Sequence, residues 1–123
     1  GSEDGGQLLT AYKRATNILR IEEKKDNKSY SGEVDKARLV APEEKALDSS
    51  IDFAVTETLF FISEEDFAGA MAANTALRAP VDAFFDQVTV NAEDAALRVN
   101  RLNLLSKIRD SLDRIADFSK IEG

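Results

Sequence analysis

This chain of 123 residues contains no cysteine, no histidine and no tryptophan, and only two prolines. Without cysteine there is no disulfide framework and no thiolate metal site. Without histidine the commonest general base and the commonest metal ligand are both missing. No apolar run approaches the roughly 20 residues that a membrane-spanning helix requires. No initiator methionine is present, and the opening Gly1-Ser2 reads as a cleavage remnant. Residues 1–7 are therefore taken as a scar and ragged leader, and residues 8–123 as one domain cut from something longer.

What is present is the composition of a folded chain. Hydrophobic residues make up 43% and charged residues 32%, outside the range of disordered segments. The length allows one hydrophobic core and not two. The net charge of −7 argues at first against a nucleic-acid partner. Its distribution is uneven, however. Residues 43–97 hold twelve acids and two bases, Lys45 and Arg78; residues 12–38 hold eight bases and five acids; residues 98–120 hold six bases and three acids. If the first and last helices lie side by side, their outer faces form a modest basic surface on an acidic body. Ordinary solvated helix faces account for the same counts.

Hydrophobic periodicity predicts helices throughout. Leu8, Ala11, Tyr12, Ala15, Ile18 and Leu19 share one apolar face, with Lys13, Asn17, Arg20 and Lys24 opposite. That helix is expected to dissolve in the polar run Glu22–Ser31, closed by Gly32, and residues 23–41 to form a flexible loop. Pro42, followed by Glu43 and Glu44, is placed to open a second helix through Leu47, Ile51, Ala54, Val55, Thr58, Leu59 and Ile62. Ser63, with acids at 64–66, is read as the cap of a third helix through Phe67, Ala70, Met71 and Leu77. Pro80 is read as opening a fourth with Val81, Phe84, Phe85 and Val88 inward. After the break Thr89-Val90-Asn91, a fifth runs from about Asp94 to Ala116. Five helices with mostly short connections imply an all-α antiparallel bundle.

No catalytic constellation emerges. Carboxylates are plentiful, yet no pair is singled out by an apolar setting that would raise a pKa for acid–base work. There is no glycine-rich phosphate loop and no calcium loop. Asp86, Glu93 and Asp94 are candidate cation ligands, though capping and dipole roles near a helix start suit them better. No metal ligand set and no catalytic residue is assigned.

Arg101 is the most unusual single residue. At 100° per residue it falls on the apolar face of the last helix, among Leu97, Leu104, Leu105, Ile108, Leu112 and Ile115. Arginine is almost never fully buried unless paired. Either it reaches a phosphate or base at the bundle edge, or it pairs with a nearby acid such as Asp86 or Glu93; the pair is favoured. Arg98, one turn earlier and off the centre of the stripe, is the better candidate for outside contact, while Lys107 and Arg114 fall on the solvated face. Phe53, Phe60, Phe67, Phe84 and Phe85 are read as core. Tyr12 borders the basic stripe, where base stacking and core packing are equally open.

Three separated segments together carry a resemblance. Residues 11–19 (AYKRATNIL), 80–88 (PVDAFFDQV) and 97–105 (LRVNRLNLL), followed by Ala116-Asp117-Phe118-Ser119, resemble the C-terminal anticodon-binding domain of bacterial glycyl-tRNA synthetase beta subunits. The likeness extends from Leu8 almost to the end. The domain belongs to the helical DALR group, whose naming tetrad here reads Ala95-Ala96-Leu97-Arg98, with Asp94 one place ahead of the usual acid. The ending Phe118-Ser119-Lys120-Ile121 is similar to the glycyl rather than the arginyl enzymes.

The resemblance implies a domain without catalysis of its own. It would grip the anticodon end of tRNA-Gly while the whole enzyme joins glycine to it using ATP and Mg²⁺. The implied partners are the rest of the beta subunit and an alpha subunit that holds the activation chemistry, two of each, in the cytoplasm and away from any membrane. By motif position Lys13, Arg14, Asn17, Arg20 and Arg98 are the implied RNA contacts, with Arg101 and Asn100 structural or contacting. The reading from another class is a helical protein-interaction module whose acidic centre, helices two to four, docks a basic partner.

Overall fold

The computed structural model describes the backbone of residues 2–90 and 92–122 and the side chains of residues 10–90 and 92–114. Among the described residues there are five α-helices: α1 (Ser2–Asp26), α2 (Pro42–Ser63), α3 (Phe67–Thr75), α4 (Arg78–Gln87) and α5 (Ala95–Glu122). A single 3-10 turn covers Lys36–Arg38, and no strand occurs among the described residues. The all-α bundle and the helix count expected from periodicity are both found. The ragged leader is not: the backbone of residues 2–7 is part of α1. The expected inward positions Leu8 and Ile115 lie outside the described side chains.

Helix α5 is the axle. Residues 100–106 are buried at every position, so this stretch is covered on all sides rather than along one stripe. α1, α2 and α3 pack against it, and the segment around the 3-10 turn closes the remaining side. Leu19, Leu47, Ile51, Leu77, Phe84, Leu102, Leu104, Leu105 and Ile108 form the fully buried centre.

Several helix ends differ from the sequence reading, and each has a local cause. α1 continues through Glu22–Asp26 and stops at Asn27, whose φ of 54° is left-handed. The Lys28 N–H then donates to the Glu23 carbonyl at 3.1 Å, the six-to-one bond of a Schellman ending. The same ending closes α2: Glu65 is left-handed at 57°, and the Asp66 N–H donates to the Phe61 carbonyl at 2.8 Å. Ser63 is therefore the last residue of α2, and Asp66 caps α3 by accepting the Gly69 N–H at 2.8 Å. Gly69 is required there, since a Cβ would lie 2.5 Å from the Phe61 ring. α4 starts at Arg78, two residues before Pro80; proline fits as its third residue because first-turn N–H groups have no helical acceptor. The last helix begins at Ala95, with Asp94 accepting the N–H groups of Ala96 (2.9 Å) and Leu97 (3.2 Å).

Residues 27–41, expected as part of a loop too polar to anchor, are held at several points. Tyr30 and Leu39 are buried. Asn100 brackets the backbone of Asp35, accepting its N–H at 2.7 Å and donating to its carbonyl at 3.1 Å. Lys36 reaches Asp48 and, at 3.0 Å, Asp52 on α2. The assignment of Phe53 and Phe60 to the core also needs correction. They are 68% and 52% exposed, one above the other on the outer side of α2. Phe67 and Phe85 are half-buried and only Phe84 is fully inside.

Arg101 is structural, but its partner is neither Asp86 nor Glu93. One guanidinium nitrogen donates to Glu44 Oε1 at 3.1 Å and another to the Thr89 carbonyl at 2.7 Å. Glu44 is wholly buried, and the same oxygen accepts the Ala41 N–H at 3.0 Å at the start of α2. One clamp thus fixes α5, the first turn of α2 and the 88–94 connection. Removing one member of a buried pair strands the other charge, at a cost of about 3–5 kcal/mol. Arg101→Leu or Glu44→Leu alone is expected to lose that much in urea unfolding, and the double substitution to recover most of it. A single-variant loss below about 1 kcal/mol, the level of an exposed pair, would refute the clamp.

Candidate nucleic-acid interface

The basic surface expected from α1 and α5 together is reduced, because Arg98, Arg101, Lys107 and Arg109 of α5 meet acids of the bundle. Arg98 donates to Glu22 Oε1 at 2.5 Å and lies 2.7 Å from Asp26 Oδ2. It also donates to the Tyr30 hydroxyl at 3.3 Å. Its side chain is 17% exposed. The extension of α1 past Glu22 creates this site, since Glu22 and Asp26 lie one turn apart and face α5. Glu22 first, and then Asp26, hold the Arg98 guanidinium protonated far beyond its ordinary range. The Tyr30 hydroxyl and then Arg98 hold the Asp26 carboxyl below the usual carboxylate range.

Lys107, expected on the solvated face, bridges Asp48 at 2.7 Å and Asp52 at 2.8 Å. Arg109 approaches Glu23 at 3.8 Å and Asp110 at 3.7 Å. With Arg101 inside, neither Arg98 nor Arg101 is presented to an outside ligand in the way the sequence suggests for Arg98.

The outward face of α1 is different. Lys13, Arg14, Asn17 and Arg20 are all exposed. Arg20 donates to Asn17 Oδ1 at 3.0 Å, which aligns a guanidinium and an amide one turn apart. Arg14 lies over the Phe85 ring at 4.3 Å from its centroid. Between α1 and α4 is a cleft of about 270 Å³ lined by Thr10, Ala11, Arg14, Arg78 and Asp82. The sequence reading does not single out Arg78 as a site residue. Its one signal there is rarity, as one of two bases in residues 43–97, and only the packing of α4 on α1 gives it meaning.

Tyr12 is committed to the fold. Its hydroxyl donates to Asp113 Oδ1 at 2.6 Å across α1 and α5. This hydrogen bond first, and partial burial second, push its pKa up to about 12. Among the described residues no group of three or more acids is placed to hold a metal ion, and no helix is long and apolar enough to cross a membrane. The α1 face offers ammonium, guanidinium and amide donors on one side of a helix. Those groups suit phosphate oxygens and the acceptor edges of unpaired bases.

The Tyr12 assignment has an alkaline signature. Its folded pKa lies above the unfolded value near 10, so the contribution is complete below pH 10 and is lost as pH rises toward 12. Tyr30, the other tyrosine, is also raised, chiefly by its hydrogen bond to Asp26. Tyrosinate absorbance of the folded protein is expected to step up near pH 12, and Tyr12→Phe to remove that step. A folded protein without a step there would contradict the geometry.

Residues 8–122 match the family described as the DALR anticodon binding domain. A glycine–tRNA ligase beta subunit from Rhodospirillum centenum is 59% identical over 99% of this chain, which covers 17% of that relative. Beta subunits from a Ruegeria species and from Cereibacter sphaeroides are 48% and 46% identical, each over 99% of this chain and 18% of the relative. The chain thus spans less than a fifth of the length of these relatives.

Proposed function

The chain belongs to the DALR anticodon-binding domain family, and on that premise we propose that it grips the anticodon arm of tRNA-Gly within a glycine–tRNA ligase beta subunit. The observation that supports this placement is the exposed α1 face, where Lys13, Arg14 and Arg20 have no acidic partner among the described residues. Lys13 and Arg14 hold phosphates, and Asn17 with Arg20 meets the edges of unstacked bases. Arg98 and Arg101 serve indirectly, by fixing α5 against α1 and α2.

The domain positions tRNA-Gly for ATP-dependent glycylation carried out elsewhere in the ligase. ATP and Mg²⁺ belong to that larger enzyme, and no residue of this domain is assigned to them. Its partners are the rest of the beta subunit and the alpha subunit, in an assembly of two alpha and two beta chains in the cytoplasm.

A second reading has one observation in its favour. Phe53 and Phe60 are exposed on α2 near the acids Asp52 and Glu57, as a protein-docking face would be. Substitutions on α1 leave such docking intact and therefore separate the two.

The direct test is titration with a labelled glycine anticodon stem–loop at low salt, beside one with a changed anticodon. Preference for the glycine anticodon is expected. Lys13→Ala and Arg20→Ala should each weaken binding several-fold, and removing each phosphate-holding cation should reduce the salt slope by about 0.7. Equal binding to both loops would leave a phosphate grip without anticodon reading. No binding at high micromolar concentration would overturn the proposal for this domain.

A further inference from the structure

The residue that joins α4 to the RNA face is Phe85, read from sequence as core. Its ring is half-buried and meets the fully buried Phe84 ring edge-on, with centroids 5.6 Å apart at 67°. Phe84 thereby fixes the ring plane from inside. On its outer side lies the Arg14 guanidinium, 4.3 Å from the centroid, on an exposed side chain. Arginine is flat and weakly hydrated, and stacks on aromatic faces without giving up its edge donors. A long side chain that elsewhere sweeps through many rotamers is here held against a ring.

We propose that Arg14, laid on Phe85, is a stacking platform for one unpaired nucleobase, with the adjoining phosphate seated in the cleft between α1 and α4. This rests on the anticodon-binding reading and specifies how that site takes its ligand. The outer face of a guanidinium accepts a base in the way an aromatic ring does, and only an unpaired base can offer its face. The adjacent cleft carries two guanidinium groups, Arg14 and Arg78, against the single carboxylate of Asp82. Its balance therefore favours an anion. At about 270 Å³ it admits one small group and excludes a paired helix. Arg78 thus becomes a phosphate-binding residue, and Phe85 a positioning residue acting through Arg14.

Arg14→Lys separates this from simple charge attraction, because it keeps the cation and loses the plane. The probe is the glycine anticodon stem–loop with 2-aminopurine placed at each loop position in turn. Wild type is expected to quench one position strongly. Arg14→Lys should lose that quench and bind about tenfold more weakly, with its salt dependence unchanged. Phe85→Leu, which keeps an apolar side chain, should move both readouts the same way. Arg78→Gln should weaken binding and lower the salt slope while preserving the quench. Circular dichroism checks that each variant is folded; if Phe85→Leu is not, Arg14→Lys decides alone. A wild type that binds while Arg14→Lys matches it in affinity and quench overturns the platform and leaves RNA binding standing. A wild type that does not bind overturns both.

Discussion

A helix covered on every side cannot carry charge without bringing partners inward, and that constraint organises this bundle. The middle of α5, residues 100–106, is such a stretch, with Arg101 inside it and Arg98 and Lys107 at its edges. Desolvating each would be prohibitive alone. Each instead meets acids from another element: Glu22 and Asp26 of α1, Glu44 of α2, and Asp48 with Asp52 one to two turns further along α2. The pairs cannot be exchanged without stranding a charge, so they set the register of α1 and α2 on α5. Apolar packing alone is indifferent to a one-turn slide; these ion pairs are not. Lys36 joins the last pair and ties the 27–41 segment to the same point.

An uncharged layer repeats this logic further along. Asn74 donates to Thr58 Oγ at 2.6 Å and to the Ala70 carbonyl at 2.9 Å, while its own carbonyl accepts the Ser111 hydroxyl at 2.9 Å. All three side chains are buried. The network joins α2, α3 and α5 where their surroundings are otherwise apolar. A buried amide satisfied in this way defines one arrangement of the three helices, since any other leaves it unpaired.

Much of the fold is legible in the sequence because the signals are local. Pro42 with its following acids, the break after Val88, and the 3.6-residue spacing on α1 and α5 all mark real elements. The failures share a different cause. Spacing tells which residues occupy one face, and not which face meets the core: α2 is apolar on two sides, so periodicity puts Phe53 and Phe60 inside when Leu47, Ile51 and Ala54 form the inner row. The angle of Arg98 on its helix points outward, but Glu22, Asp26 and Tyr30, 68 to 76 residues away, enclose it. The apolar setting of Arg101 correctly calls for an acid, and nearness in sequence suggests the wrong one. Glu44, 57 residues away, becomes its neighbour only through packing.

The same distribution bears on what the exterior can do. Counting charges along the chain suggests two basic helices on an acidic body, but the acids Glu44 and Asp48 face inward, and Arg98, Arg101 and Lys107 of α5 answer them or the acids of α1. Basic character at the surface is therefore concentrated on α1, whose Tyr12 and Ala15 sides are spent on α5 and the core. A few exposed cations give modest, salt-sensitive attraction. On the proposed reading, selectivity for an RNA comes from where those groups are held rather than from how many there are. The internal pairs supply part of that placement by locking α1 onto α5, and the Arg14–Phe85 contact joins α4 to the same face. A surface with little charge of its own gains specificity from a core that holds its charges in place.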